Sequence, residues 1–477
     1  MNYGLFLPEF LLVGLTFLVL GVDLFLPKER KGVTAWLSAA GLLVVAASAL
    51  TLRGTSQSLF GGIFLVDDYA IFFKFFFPLI AVFICLISTD YVKKYLNYAG
   101  EYYGFILFAT LAMMLMAASG ELLTAYISLE LLSFGLYVLT AYAKHNAKSN
   151  EAGIKYILLG AFSSALLLYG MSLIYGLAHT TTFEGIAVYL RGGAPALPLI
   201  AALALIIAGL GFKVAAVPFH MWAPDVYEGA PTPITAYLSV ASKAAGFALL
   251  LRLFAVAFLP AIDEWRWIIV ALSAVTMTLG NLVAIPQTNI KRMLAYSSIG
   301  QVGYLLVGVA AFTPQGDPTG ASAIVLHLAS YAVTNLAVFA CVIIYTNHTD
   351  KEDILDYAGL AERMPFVAFA LSISLLSLAG LPFFAGFATK FYLFYAGAKQ
   401  GLLWLVSLAV LNSLVSLYYY LNVLKQMYVG QPSEPGRLRL SPVAGGVLGL
   451  LTLGVVLVGL YPAPLLTLID LAVKVLF

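Results

Sequence analysis

LPLIAALALIIAGLGFKVAAVPFHMW, residues 197–222, combines a membrane-length apolar run with a charge and a helix break. Its first sixteen positions carry no charge, and a membrane-crossing helix needs about 20 mostly apolar residues. Yet Lys213 stands in mid-run, and Gly209, Gly211 and Pro218 interrupt the helix around it. Proline removes one helical hydrogen bond and frees a carbonyl. In lipid that is tolerable only where protein or water satisfies the freed groups. A broken membrane helix with an ionisable residue beside the break is a transporter signature.

The rest of the chain reads the same way. Hydrophobic residues make up 62% of the 477, charged residues 10%, and the mean hydropathy is +0.96. Ordinary globular chains are about a quarter charged, so a soluble enzyme and a disordered chain are excluded. A net charge of +2 is too small to steer toward nucleic acid. The fold class is all-α and polytopic. Fourteen spans are expected, near 5–26, 33–52, 69–89, 102–118, 122–143, 152–178, 197–222, 232–259, 265–285, 291–311, 320–346, 365–396, 401–428 and 443–463. The tail after Pro462 is too short to cross again, and the N-terminus lacks the basic region of a cleaved signal peptide.

Basic residues test this count through the positive-inside bias. Loops after odd-numbered spans carry fourteen Lys and Arg, from Lys28 to Arg439. Loops after even-numbered spans and the tail carry six: Arg53, Arg191, Arg252, Arg266, Lys399 and Lys474. The asymmetry predicts both termini on the non-cytoplasmic side. Five lysines remain, inside apolar runs: Lys74, Lys155, Lys213, Lys243 and Lys390.

A charge at the bilayer centre costs roughly 2.5–3.5 kcal/mol on insertion scales and needs a task or a partner. Glu130 follows Glu121 by nine residues, about 13 Å along a helix and so near the midplane. Lys243 follows Pro233 by ten, about 15 Å in. With Lys213 and Lys390 this makes one acid and three bases at similar depth. Glu151 and Lys155, at i and i+4, face the same way, as a site pair or as a helix-surface pair at the membrane edge. Lys74 reads as a lysine that snorkels to the interface; Asp23 and Asp90 read as interfacial. His220 would share a helix face with Lys213, two turns on, and His changes charge nearest neutral pH. His327, in mid-span, reads either as structural or as functional. A second break, Gly380, Pro382 and Gly386, precedes Lys390. AVPFHMW and GLPFFAG share a small-apolar, Pro, Phe pattern, with Pro218 and Pro382 separated by 164 residues. This hints at repeated five-helix blocks, and an odd number of helices per block inverts the second copy.

Other chemistries leave no trace. No phosphate loop points to ATP-driven transport. Cys85 and Cys341 are lone thiols in apolar runs, without the spacing of zinc or iron–sulfur ligation. Metal and cofactor binding by this chain is therefore not expected.

Three long runs carry a family resemblance: KVAAVPFHMWAPDVYEGAPTPITAYLSVASKAAGFALLLRLF at 213–254, NIKRMLAYSSIGQVGYLLVG at 289–308 and AGLPFFAGFATKFYLF at 379–394. They resemble the antiporter-like subunits of respiratory complex I, and PDVYEGAPTP with the SK of SVASK is similar to the N-type branch. Lys390 stands where M-type and sodium–proton antiporter subunits usually have Glu. The resemblance implies two inverted five-helix repeats, at 102–259 and 265–428, after three N-terminal helices (1–100) and before a last helix and tail (443–477). It implies that Glu130 and Lys213 form an ion pair in a first half-channel. Lys243 would be the connecting base and Lys390 the terminal one. Glu151 and Lys155 would join the charged axis, with His220 and Tyr296 near the proton path. It further implies proton translocation coupled to quinone reduction elsewhere. Quinone, iron–sulfur clusters and flavin or other electron-input cofactors would sit in partner subunits. The partners implied are M-type and K/J/A-type membrane subunits, a peripheral redox arm and lipids. The expected compartment is a bacterial plasma membrane, or a thylakoid. Two other readings are a subunit of a multi-subunit cation–proton antiporter or membrane-bound hydrogenase, and a spacer that no longer conducts protons.

Overall fold

The computed structural model describes residues 3–432 and 436–477, leaving out the Lys28 side chain counted above. Among the described residues, thirteen helices are long and apolar enough to cross a membrane. They are α1 (Tyr3–Phe25), α2 (Val33–Leu50), α3 (Asp68–Ile87), α4 (Ala99–Ala117), α5 (Leu122–Thr140), α6 (Ala147–Ala178), α7 (Ala196–Val214), α8 (Thr232–Ala257), α9 (Leu259–Ala284), α10 (Ile290–Ala310) and α11 (Thr319–Thr349), then Leu403–Val429 and Pro442–Leu460. Before those last two, the expected twelfth span is split into α12 (Pro365–Ala379) and α13 (Ala385–Lys399), of 15 residues each. The final two long helices are therefore α14 and α15. The chain is an all-α polytopic membrane protein. Shorter pieces escape a twenty-residue hydropathy window: helices at Thr89–Tyr95, Phe183–Arg191, Trp222–Gly229 and Ala463–Val473, and a two-stranded hairpin of β1 (Gln57–Leu59) and β2 (Phe64–Val66).

Span ends are capped by short polar side chains. Asp67 accepts from the Ala70 amide ahead of α3, and Glu121 accepts from the Leu123 amide ahead of α5. Such caps satisfy amides left free at a helix start. Helices α8, α10 and α11 form the centre, each 94% buried over its most apolar window. Glycines bring α9 and α10 together: a Cβ on Gly280 would lie 2.5 Å from the Gly300 amide. Close backbone approach through small residues is how membrane helices pack without a hydrophobic drive.

Both expected breaks are present. α7 stops at Val214, where Ala215 takes a left-handed conformation, and a helix resumes only at Trp222. α12 stops at Ala379, with Gly380 left-handed. α8 is also irregular: it widens to π-helix at Leu238–Ser242, immediately before Lys243, and again at Leu253–Ala257. π-turns inside helices occur often at functional positions.

Three cations sit elsewhere than their loop or span-end positions suggest. Lys74 does not snorkel; it is wholly buried, 2.8 Å from Glu9 of α1. Arg252, counted as a loop cation, is 1% exposed. It donates to both oxygens of Asp67 at 2.7 and 2.8 Å and to the Ala117 carbonyl. Lys291 is buried against Glu352 at 2.8 Å. In each case a carboxylate distant in sequence supplies what water would have supplied. Asp23 is also mostly buried, 2.7 Å from Lys31.

Candidate functional site

Lys213, Lys243 and Lys390 are each 2–4% exposed. All three are held by neutral oxygens. Lys213, in the last turn of α7, donates to Ser133 Oγ of α5 at 3.1 Å. A helix C-terminus favours a cation. Glu130 lies one turn from Ser133 on α5 and accepts from Ser164 Oγ of α6 at 2.7 Å. Ser164 is in turn 2.9 Å from the Tyr126 hydroxyl. The expected Glu130–Lys213 pair is therefore not in contact: each group has its own serine partner.

Lys243 donates to Ser298 of α10. The Tyr331 hydroxyl of α11 donates to the same Ser298 oxygen at 3.0 Å, and Asn335 joins Tyr331 to Ser239 at 3.1 and 2.7 Å. The Tyr331 ring stacks on His327, centroids 6.4 Å apart. His327 is buried between Thr389 of α13, at 3.0 Å from Nδ1, and Gln301 of α10, at 3.2 Å from Nε2. Gln301 donates to the Leu378 carbonyl at 3.2 Å. Lys390 donates to that same carbonyl at 2.8 Å, to the Ala379 carbonyl at 3.2 Å and to Ser413 Oγ at 3.0 Å. The break after Ala379 is what leaves Leu378 and Ala379 carbonyls for an ammonium. A row of buried polar groups thus runs from Lys243 to Lys390 through α10, α11 and the α12 break.

Other expected site residues lie apart from this row. Glu151 and Lys155 form their i, i+4 pair at 2.6 Å, and both are exposed at the membrane edge. Lys155 also meets Asp225 of the Trp222–Gly229 helix at 2.7 Å. His220 is buried in the irregular segment after α7, its Nδ1 without a hydrogen-bond partner. The shared helix face with Lys213 does not exist, because the helix ends at Val214. Tyr296 is half-buried at the edge of the apolar core. Pro218 and Pro382 sit within the two breaks, and Val217–Pro218 is cis.

The Trp222–Gly229 helix is tied into a charged network. Asp225 contacts Lys155 and Arg292, each at 2.7 Å; Glu228 contacts Lys148 at 3.0 Å and Arg292 at 3.2 Å. Burial raises the Asp225 pKa, but Lys155 and Arg292 outweigh it and hold the carboxyl below its ordinary value. Lys148 and Arg292 do the same for Glu228 against its burial. The sequence signal for the residues missed here, Ser133, Ser164, Ser298, Gln301, Tyr331 and Thr389, is the presence of polar side chains inside apolar spans. Which of them meet is set by packing, not spacing. Among the described residues no three His, Cys, Asp or Glu side chains could hold a metal ion.

The chain and its fold have known relatives. Residues 119–416 match the family described as NADH:quinone oxidoreductase/Mrp antiporter, TM. NADH-quinone oxidoreductase subunit N of Moorella thermoacetica is 46% identical, with 97% of each chain covered. NAD(P)H-quinone oxidoreductase subunit 2 of a Nostoc species is 43% identical over 91% of this chain and 84% of that one. A chain of respiratory complex I from Thermus thermophilus with bound Aureothin superposes with a TM-score of 0.82 at 30% identity, covering 98% and 99%. A chain of the Mrp complex from Dietzia gives 0.86 at 21% identity, covering 100% and 98%, which speaks to the fold alone. This chain belongs to the NADH:quinone oxidoreductase/Mrp antiporter membrane family, and within it to the NADH-quinone oxidoreductase subunit N group.

Proposed function

We propose that the chain is a proton-translocating membrane-arm subunit of a complex I-type quinone oxidoreductase. The observation that carries this is the row of buried groups from Lys243 to Lys390. Three ammonium groups are held inside membrane helices without a carboxylate in contact, and neutral hydroxyls, an imidazole and an amide link two of them. A buried ammonium lacks its hydration, and an approaching carboxylate offsets that loss. Closing Glu130 on Lys213 favours a proton there; the separated arrangement releases it. Lys243 takes up charge next, and Lys390 last. Two nearby cations do not both stay charged cheaply, so loading one unloads its neighbour. One pKa unit is about 1.36 kcal/mol, so a change of a few units moves a proton against a gradient. The matching breaks before Lys390 and after Lys213 support two inverted five-helix repeats, at 102–259 and 265–428.

Electron chemistry belongs to other subunits in this reading: quinone, flavin and iron–sulfur clusters sit with partner chains, and this chain binds none. M-type and K/J/A-type subunits flank it. The loop bias in Lys and Arg supports both termini on the non-cytoplasmic side of a bacterial plasma membrane. Lys390 in place of Glu, and the PDVYEGAPTP run, favour this reading over a cation–proton antiporter.

The test is Glu130→Gln in the whole complex, with protons moved per electron measured in sealed vesicles. A clear fall is expected while the redox arm still reduces quinone. An unchanged ratio refutes the reading.

A further inference from the structure

Lys390 lies inside the membrane with all three of its N–H groups engaged. An ammonium has three donors and no acceptor. The Leu378 carbonyl, the Ala379 carbonyl and Ser413 Oγ take one each, at 2.8, 3.2 and 3.0 Å. Ser413 turns its own hydrogen to the Ala379 carbonyl at 2.9 Å. All three partners are neutral dipoles. None carries the countercharge that Glu9 gives Lys74 or Asp67 gives Arg252.

Beside the ammonium stands a ring instead. Tyr304 of α10 is wholly buried, and Lys390 Nζ lies over it, 4.9 Å from the centre. A cation within about 6 Å of an aromatic face is drawn to its negative π surface, more strongly where water is absent. The ring is held in place from several sides. Asn281 of α9 donates to the Tyr304 hydroxyl oxygen at 2.9 Å. The same amide nitrogen donates to the Met277 carbonyl at 2.8 Å, and the amide oxygen accepts from Tyr419 of α14 at 3.0 Å. The amide that anchors the ring is thus itself anchored. Phe394, one turn after Lys390 on α13, meets the ring edge-on with centroids 6.0 Å apart. Helices α9, α13 and α14 together fix one ring of α10 beside one lysine.

We propose that Tyr304 is a positioning residue for proton transfer at Lys390, its π face standing in for the missing carboxylate and keeping the proton on the lysine until transfer. Asn281 and Tyr419 serve by aiming that face. This rests on the translocation reading above and adds a residue that carries no proton itself. The titratable groups near Lys390 on other helices are Tyr304, His327 and Tyr331 of α11, and Tyr419 with its neighbour Tyr420 on α14. Neither α12 nor α15 contains a titratable side chain.

The experiment uses the whole complex in sealed vesicles, with protons moved per electron measured from neutral to alkaline pH. Expressing the result per electron removes the pH dependence of quinone reduction itself. Two replacements of Tyr304 are compared. A trifluorinated phenylalanine keeps the shape of the ring and removes its negative face. Tyr304→Phe keeps the face and loses the bond to Asn281. Fluorination is expected to move the alkaline limb of the ratio down by about one pH unit, the size of a desolvated cation–π attraction. Tyr304→Phe is expected to restore most of that shift. A limb that fluorination leaves in place, or that Tyr304→Phe moves just as far, overturns the proposal. Lys390→Met is run in parallel. If it lowers the ratio while fluorination moves nothing, the role of Tyr304 fails and translocation stands. If it too leaves the ratio unchanged, translocation through this chain fails as well.

Discussion

Asp67 and Arg252 show how a charge is made tolerable at depth. The guanidinium is wrapped by two carboxylate oxygens and a carbonyl, and it lies 4.8 Å from the centre of the Tyr69 ring. Breaking a buried pair on one side leaves the other charge uncompensated, at about 3–5 kcal/mol, whereas apolar replacement of both partners is often neutral. Asp67→Asn is therefore expected to lower the thermal unfolding temperature in detergent more than Asp67→Leu combined with Arg252→Leu. A larger fall in the double variant contradicts this account. Neither partner is suggested by sequence, because 185 positions separate them. The same holds for Lys74, paired with Glu9. Hydropathy finds a lysine in a span; only packing tells whether it reaches water or an acid.

At the scale of elements, the breaks matter more than the helices. Gly380 has φ +87°, and a Cβ there would meet Lys390 Cδ at 3.1 Å and Nζ at 3.3 Å. Gly380→Ala is expected to cost about 1–2 kcal/mol in backbone strain and to displace the ammonium from the Leu378 and Ala379 carbonyls. Proton uptake by the complex should fall with it, while assembly into the complex persists; uptake at the unmodified rate would show that the position of Lys390 is not critical. The breaks were legible because glycine, proline and a lysine coincide in an apolar run. The extent of the first was not. Pro218 suggests a kink, whereas the helix stops four residues earlier at Val214 and takes His220 out of register with Lys213. The π-turns of α8 have no sequence signal at all: Leu238–Ser242 reads as ordinary helix.

The Trp222–Gly229 helix is a second element with its own prediction. The folded state holds Asp225 and Glu228 below their ordinary values. Such groups stabilise above their unfolded values, about 3.9 and 4.3, and that contribution is lost as pH falls through the depressed folded values. Hydrogen-exchange protection of residues 222–229 should hold steady from neutral pH down to about 4 and decline below it. Asp225→Asn should flatten the decline; an unaltered profile would mean the network does not hold this helix.

For the whole molecule, the sequence carries the span count because a membrane imposes one length on every crossing. The same constraint hid the twelfth span from a length criterion, since α12 and α13 divide it at Gly380. The site was half legible. Lys213, Lys243 and Lys390 stand out as charges in apolar runs. Their links do not, since Ser298, Gln301 and Thr389 are common residues whose meaning comes from three helices converging.

The links between Lys243 and Lys390 include three hydroxyls and a histidine. A hydroxyl that passes a proton accepts a hydrogen on one side and yields its own on the other, and is left pointing the opposite way. It conducts again only after rotating back. In the translocation proposed above, Tyr331, donating to Ser298, and Thr389, beside His327, act as reset parts as well as carriers. Each cycle comprises a transfer and a reorientation, and the slower of the two sets the pace. Heavy water should slow the first, and crowding of the rotors by bulkier neighbours the second.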